Sequence, residues 1–216
     1  MVHMVEAEYE IDKNKLFQRL KIRENSSVFK AAEKSFELLM RIIKENMTLT
    51  NVYMLKEKTF EFDFNELDKC KEHVYCFSSG GHEIVRKIGE LIDKNEYLDA
   101  YMLNDMVNDI VFSSSTFMNK KIRNDISAKG LHLGKKFYPG EHGLDMKNQK
   151  NILNLLKESI DIDAELTDSY MIKPEKSMLY VFSVGVGIEE CSVEHDCGLC
   201  ELKECMYKES KGFIYG

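Results

Sequence analysis

The chain has 216 residues, of which 44% are hydrophobic, enough to bury one large core without a disulfide or metal staple. Its formal charge of −7 and pI near 5.5 argue against a phosphate-tracking surface, because nucleic-acid binding runs on clustered Lys and Arg and the 30 basic residues here are dispersed. No apolar run approaches the ~20 residues of a membrane helix, and the opening MVHMVEAEYEID is acidic where a secretory leader is basic and then apolar. The expectation is a cytoplasmic protein with no nucleic-acid or membrane partner, whose six cysteines are buried thiols or ligands in reducing surroundings.

Asp12 is placed to cap a short helix in which Leu16, Phe17 and Leu20 share a face. Ser26 and Ser27 are the expected cap of a longer helix running to Asn46, with Phe29, Ala32, Phe36, Leu39, Met40 and Ile43 at helical spacing. Two short strands are predicted at 52–55 and 59–64, the second alternating Phe60, Phe62 and Phe64 with Glu61 and Asp63 so that one face is wet. Another strand at 74–77 leads through Ser78-Ser79-Gly80-Gly81 into a helix lined by Ile84, Ile88, Leu91 and Ile92. Such a loop can turn amides toward an anion, but it has neither the Lys-Ser/Thr of a P-loop nor the glycine spacing of a dinucleotide fingerprint, so a plain strand-to-helix turn is expected.

The longest helix runs from Tyr97 to Ala128, with Met102, Met106, Ile110, Phe117, Ile122 and Ile126 as its buried positions. Asn104, Asp105, Asn108 and Asp109 recur on it at i, i+4 spacing. They read either as a solvated face or as a site for a metal or a substrate amine, and the first is preferred because no His or Glu completes a ligand set nearby.

Both prolines fall between residues 134 and 187. Pro139-Gly140 fixes one backbone angle and frees the next, a turn that feeds a helix able to start at Asp145 and carrying Ile152, Leu153, Leu155, Leu156 and Ile160 at helical spacing. A polar break at Thr167-Asp168-Ser169 and a second turn at Pro174 lead into 178–186, apolar but for Ser183 and Gly185, as expected of a central strand covered on both faces.

After Gly187 the composition changes, which divides the chain into a domain at 1–187 and a Cys-rich tail at 188–216. Cys191, Cys197, Cys200 and Cys205 are spaced C-x5-C-x2-C-x4-C, and a C-x2-C step lets two thiolates reach one metal from a tight turn. Four soft ligands suit zinc or an iron–sulfur cluster, with His195 able to replace one. The compressed spacing matches neither a two-knuckle zinc site nor a ferredoxin run, so free thiols are the alternative. Cys70 and Cys76 lie near strands and read as buried thiols.

Four segments taken in order, VYCFSSGGHEIVRKIGELI, DAYMLNDMVNDIVFSSSTFMNKKIR, KKFYPGEHGLDMKNQKNILNLL and LTDSYMIKPEKSMLYVFSVG, resemble the activation domain of cobalamin-dependent methionine synthase in its free-standing bacterial form. The third is similar to the family's Arg-x-x-Pro-Gly-Tyr turn and the fourth to its Leu-Thr-x-Ser-x-Met-x-Pro-x-x-Ser strand entry. DCGLCELKECMYK is similar to a Cys-rich ending of free-standing members. The resemblance implies an α+β fold in which a twisted, largely antiparallel sheet is flanked by helices, with a Cys-rich appendage. It also implies an accessory component of a corrinoid methyltransferase of the methionine synthase type, one that supports reductive remethylation of cob(II)alamin.

On this resemblance S-adenosylmethionine is held near Lys136, Tyr138, Pro139, Gly140, Glu141, Ser177 and Tyr180. The cobalamin belongs to a partner's cobalamin-binding domain, a flavodoxin or ferredoxin supplies the electron, and no side chain of this chain is catalytic because cofactors carry the chemistry. Three departures fall at sensitive positions: Lys136 stands for the family's Arg, Glu141 for its Tyr, and Leu179-Tyr180 for a small Ser-Gly whose backbone can approach a ligand. His142 reads as a corrinoid or metal contact or as a surface loop residue. The departures leave two other readings open, an adaptor that binds a corrinoid protein or metal without chemistry, and a small electron-transfer protein built on the cysteines.

Overall fold

The computed structural model describes residues 2–7, 9 and 11–191. Five strands form one antiparallel sheet in the order β1 (Val2–Met4), β2 (Thr50–Glu57), β3 (Glu72–Ser79), β7 (Ser177–Gly185), β4 (His132–Phe137). A two-stranded ribbon pairs β5 (Glu165–Leu166) with β6 (Ile172–Lys173). Helices α1 (Lys13–Arg19), α2 (Phe29–Asn46), α4 (His82–Asp93) and α5 (Tyr97–Ser127) form one layer, while α6 (Asn148–Lys157) and the short α3 (Asn65–Asp68) cover the other face. This is the α+β architecture expected from the sequence.

β7 lies between β3 and β4 and is buried from Leu179 to Val184, which explains its nearly unbroken apolar run. Its alternation sorts the core. Leu179 and Val181 pair beside Phe77, Tyr75 and Phe137 and pack with Phe62, Ile152 and Leu156 on the α6 side. Tyr180 and Phe182 pair beside Cys76 and Val74 and pack with Met118, Ile122 and Ile126 of α5. A third apolar cluster, with Leu16, Leu39, Ile84 and Met106, joins α1, α2, α4 and α5 to one another.

Several local expectations hold. Asp12 Oδ1 accepts from the amides of Asn14 and Lys15 at 3.0 and 3.1 Å and so starts α1. α5 spans nearly the predicted range, although Phe117 is 48% exposed and is not a core residue. Others are corrected. α2 begins at Phe29 with no side-chain cap, because 26–28 form a turn to which Ser26 contributes its carbonyl. α6 begins at Asn148 rather than Asp145, whose carboxylate instead accepts from Lys147 N at 2.8 Å.

Residues 59–64 form no strand. The Asp68 carboxylate accepts from the Phe62 and Phe64 amides at 2.9 and 2.8 Å, satisfying donors that a neighbouring strand would otherwise need, and Asp63 takes φ +55°. The alternation of phenylalanines survives only as burial, since Phe62 is fully inside with Phe60 and Phe64 packed around it. β4 forms where the sequence shows no strand pattern. It is an edge strand with a bulge between Leu133 and Lys136, and a Cβ at Gly134 would fall 2.4 Å from Ser183 Oγ, so glycine permits the close approach to β7.

Candidate functional site

The two proline-containing connections converge at one end of the sheet. β4 and β3 end there, and β7 and β2 begin there. The turn after β4 is closed by Glu141 N on Tyr138 O at 3.0 Å and by Gly140 N on Leu144 O at 2.7 Å. Gly140 takes φ +94°, a conformation that disfavours any residue with a Cβ. The entry to β7 is held by Gly80 N on Lys176 O at 2.8 Å and by Ser177 Oγ on Ser79 Oγ at 2.8 Å.

At this junction the structure brings Lys136, Tyr138 and Tyr180 together. The two rings lie 5.4 Å apart, and the Lys136 ammonium stands 5.4 Å from one centroid and 5.5 Å from the other. The Tyr180 hydroxyl donates to Asn119 Oδ1 at 2.8 Å and its side chain is fully buried. Burial raises both phenols above the ordinary tyrosine range, with the Glu141 charge adding to the effect at Tyr138. Pro139 and Gly140 form the turn itself, and Glu141 and His142 are exposed at its tip. Ser177 shares the sheet face of Leu179, opposite that of Tyr180, so the sheet separates it from the Lys136 group.

The Asn/Asp face of α5 is not solvated. Asp105 is 3% exposed, and Arg19 of α1 reaches it through Nε at 2.6 Å while a terminal nitrogen reaches Asp109 at 2.6 Å. Lys176 donates to the carboxamide oxygens of Asn104 and Asn108 at 2.6 and 2.8 Å. Two internal cations therefore engage the four residues that read as a metal or amine site. Burial lowers the Lys176 ammonium, and nearby Asp105 opposes it. Neither Lys176 nor Asn119 carried any local signal, since each acquires its role from a partner more than 60 positions away.

The Ser78–Gly81 loop is a plain turn, with Gly81 N bonded to Ser79 Oγ at 3.0 Å and Gly80 N already engaged. Beside it a cleft of about 260 Å³ opens on the α6 side between Thr50, Ser79, His82, Glu83 and Asp163. Cys76 is fully buried and its thiol is pushed well up by desolvation, as expected of an inert core residue, while Cys70 is half-buried. Cys191 is the last described residue, and its amide lies 3.4 Å from Leu133 O on β4. Cys197, Cys200 and Cys205 lie outside the described residues, among which no three His, Cys, Asp or Glu side chains are arranged to hold a metal. No helix among the described residues is long and apolar enough to cross a membrane.

Neither a protein-family profile nor a curated protein sequence matches the chain. Its structure is similar to the crystal structure of the MetH reactivation domain bound to AdoHcy, with a TM-score of 0.55 over 89% of this chain and 81% of that one, at 11% sequence identity. The chain shares that fold. The likeness covers most of the chain rather than a single motif, and it agrees with the sequence resemblance in fold while the low identity leaves the ligand to be argued from the site.

Proposed function

We propose that this chain binds S-adenosylmethionine where the 136–141 turn meets Tyr180 on the α5 side of β7, with Ser177 left on the opposite face. There it acts as the reactivation component for a cobalamin-dependent methyltransferase of the methionine synthase type. The observation that carries the reading is the Lys136–Tyr138–Tyr180 group at the Pro139 turn, in a fold shared with a reactivation domain whose crystal structure contains AdoHcy. The residues present suit the ligand. Lys136 offers a cation to a carboxylate, and Tyr138 and Tyr180 place aromatic rings beside it.

When bound, S-adenosylmethionine supplies the methyl group, while the electron reaches the partner's cobalamin from a flavodoxin or ferredoxin. The chain's own residues orient and exclude. Lys136 holds the carboxylate end, Tyr138 and Tyr180 form an apolar wall whose phenols stay protonated at neutral pH, and exposed Glu141 and His142 face outward toward the partner. Cys191, Cys197, Cys200 and Cys205, in the tail we set apart at 188–216, would be the ligands of any zinc or iron–sulfur cluster, a point decided by metal and sulfide analysis of anaerobically purified protein.

Titration calorimetry with S-adenosylmethionine tests the binding step, and the absorbance change from cob(II)alamin to methylcobalamin on a partner domain, with reduced flavodoxin, tests the reaction. Saturable heat below millimolar ligand is expected. No heat at millimolar concentration leaves the second reading, a corrinoid-protein-binding adaptor without methyl-donor chemistry. That reading is favoured by one observation, the fully buried Tyr180 ring where the resembled family has a small residue.

A further inference from the structure

At the Pro139 turn one lysine ammonium lies over two aromatic rings. The Tyr138 and Tyr180 rings are tilted by 45° at 5.4 Å, and the Lys136 ammonium lies within the roughly 6 Å over which a ring face attracts a cation, from both rings at once. Because burial keeps both phenols protonated, the attraction comes from the ring faces and not from a phenolate. Tyr180 is held in place by its bond to Asn119 and by the edge of Phe182, 5.8 Å away at 77°. Lys136, half-buried like Tyr138 while Tyr180 is fully inside, differs from the rings in its flexible four-carbon stem, so it can swing outward while the Tyr180 ring stays.

We propose that the Tyr138–Tyr180 ring pair reads the sulfonium of the methyl donor, and that the Lys136 ammonium is the internal cation the sulfonium replaces as Lys136 moves out to the donor's carboxylate. This rests on the reading that the turn binds S-adenosylmethionine, and it adds a basis for selectivity. The methyl donor carries its positive charge on sulfur, whereas its demethylated product, S-adenosylhomocysteine, has a neutral thioether at the same position. A partly desolvated cation on two ring faces corresponds to a preference of about 2- to 30-fold for the charged ligand. The product would thus be released more readily than the donor is bound, with no bond made or broken by the protein.

Calorimetric dissociation constants for both adenosyl ligands on wild type, Tyr138→Phe and Tyr138→Leu test the selectivity. The preference should persist in Tyr138→Phe, which keeps the ring, and fall to parity in Tyr138→Leu; an unchanged preference in a folded Tyr138→Leu protein overturns the proposal. A second measurement needs neither the variants nor an adenosyl ligand. The Lys136 ε-methylene proton resonances of wild type, assigned by their loss in Lys136→Arg, should be displaced upfield by the two rings and relax toward the free-lysine position on titration with trimethylsulfonium chloride but not with sodium chloride. If they do not move, the ring pair is a structural contact only and the proposal is overturned. If they move while wild type binds neither adenosyl ligand, the ring pair reads sulfonium and the methyl-donor function is what fails.

Discussion

On the α6 side of the sheet Val52, Met54, Tyr75, Phe77, Phe137, Leu179 and Val181 meet Phe62 and the apolar stripe of α6. On the α5 side, one residue along each strand, Asn51, Ser78, Lys136 and Tyr180 sit among Tyr53, Cys76 and Phe182. There Ser78 and Ser114 both donate to Asn51 Oδ1, at 2.8 and 3.3 Å, and Tyr180 donates to Asn119. Apolar burial is non-directional, so the α6 side asks mainly for volume. A buried polar group costs free energy unless its partner lies at the right distance and angle, so the α5 side asks for orientation. The candidate site lies on the side where orientation is enforced, and binding a charged ligand in one pose requires that property.

The contrast breaks most visibly at the cation sockets behind the α5 side. Arg19→Met leaves two carboxylates without their shared partner and should cost about 3–5 kcal/mol, lowering the melting temperature by roughly 6–20 °C for a domain of this size. Urea unfolding checks this, and a variant as stable as wild type would mean that the pair is replaceable by packing alone. Adjacent residues on opposite faces sharpen the contrast further. Tyr180→Phe strands the Asn119 contact and should cost about 1–3 kcal/mol, whereas Leu179→Met on the other face should stay below about 1.5 kcal/mol. Equal losses in the two variants would erase the distinction between the faces.

His73 is a buried titratable residue on the α6 side, and it gives the smallest effect. The ring is fully buried against Phe62, with Nε2 3.0 Å from Leu67 O. Burial lowers its pKa below the ordinary 6.5; Lys58 pushes the same way, while the Leu67 carbonyl and Asp68 oppose. The folded value therefore lies below the unfolded one. Above pH 6.5 both states are neutral and the contribution is complete; as pH falls below 6.5 the unfolded chain takes up a proton that the fold resists, and stability drops by up to about 1.4 kcal/mol per pH unit. The urea midpoint measured from pH 7.5 to 5.5 should fall, and His73→Gln should flatten that part of the profile.

Much of the fold was legible before the coordinates. Helical spacing identified α2, α4, α5 and α6, and an apolar run identified β7, because burial on one or two faces leaves a period in the sequence. β4 was missed because Gly134, Lys135 and Lys136 on an edge strand leave no such period. The phenylalanines at 60, 62 and 64 suggested a strand because alternation reports burial, and burial does not require a sheet partner once Asp68 has taken the amides. The turn at Pro139 and Gly140 was legible from backbone chemistry alone.

What the amino-acid order determined by itself was local: where helices and the central strand lie, which residues turn inward, and where the chain bends. Only the tertiary structure decided which polar groups meet. Arg19 and Lys176 arrive at α5 from opposite ends of the chain, and Tyr180 reaches Asn119 across 61 positions. Such pairings obey distance in space, which has no period along a sequence, whereas hydrophobic burial repeats with the geometry of each element and can be read from one chain.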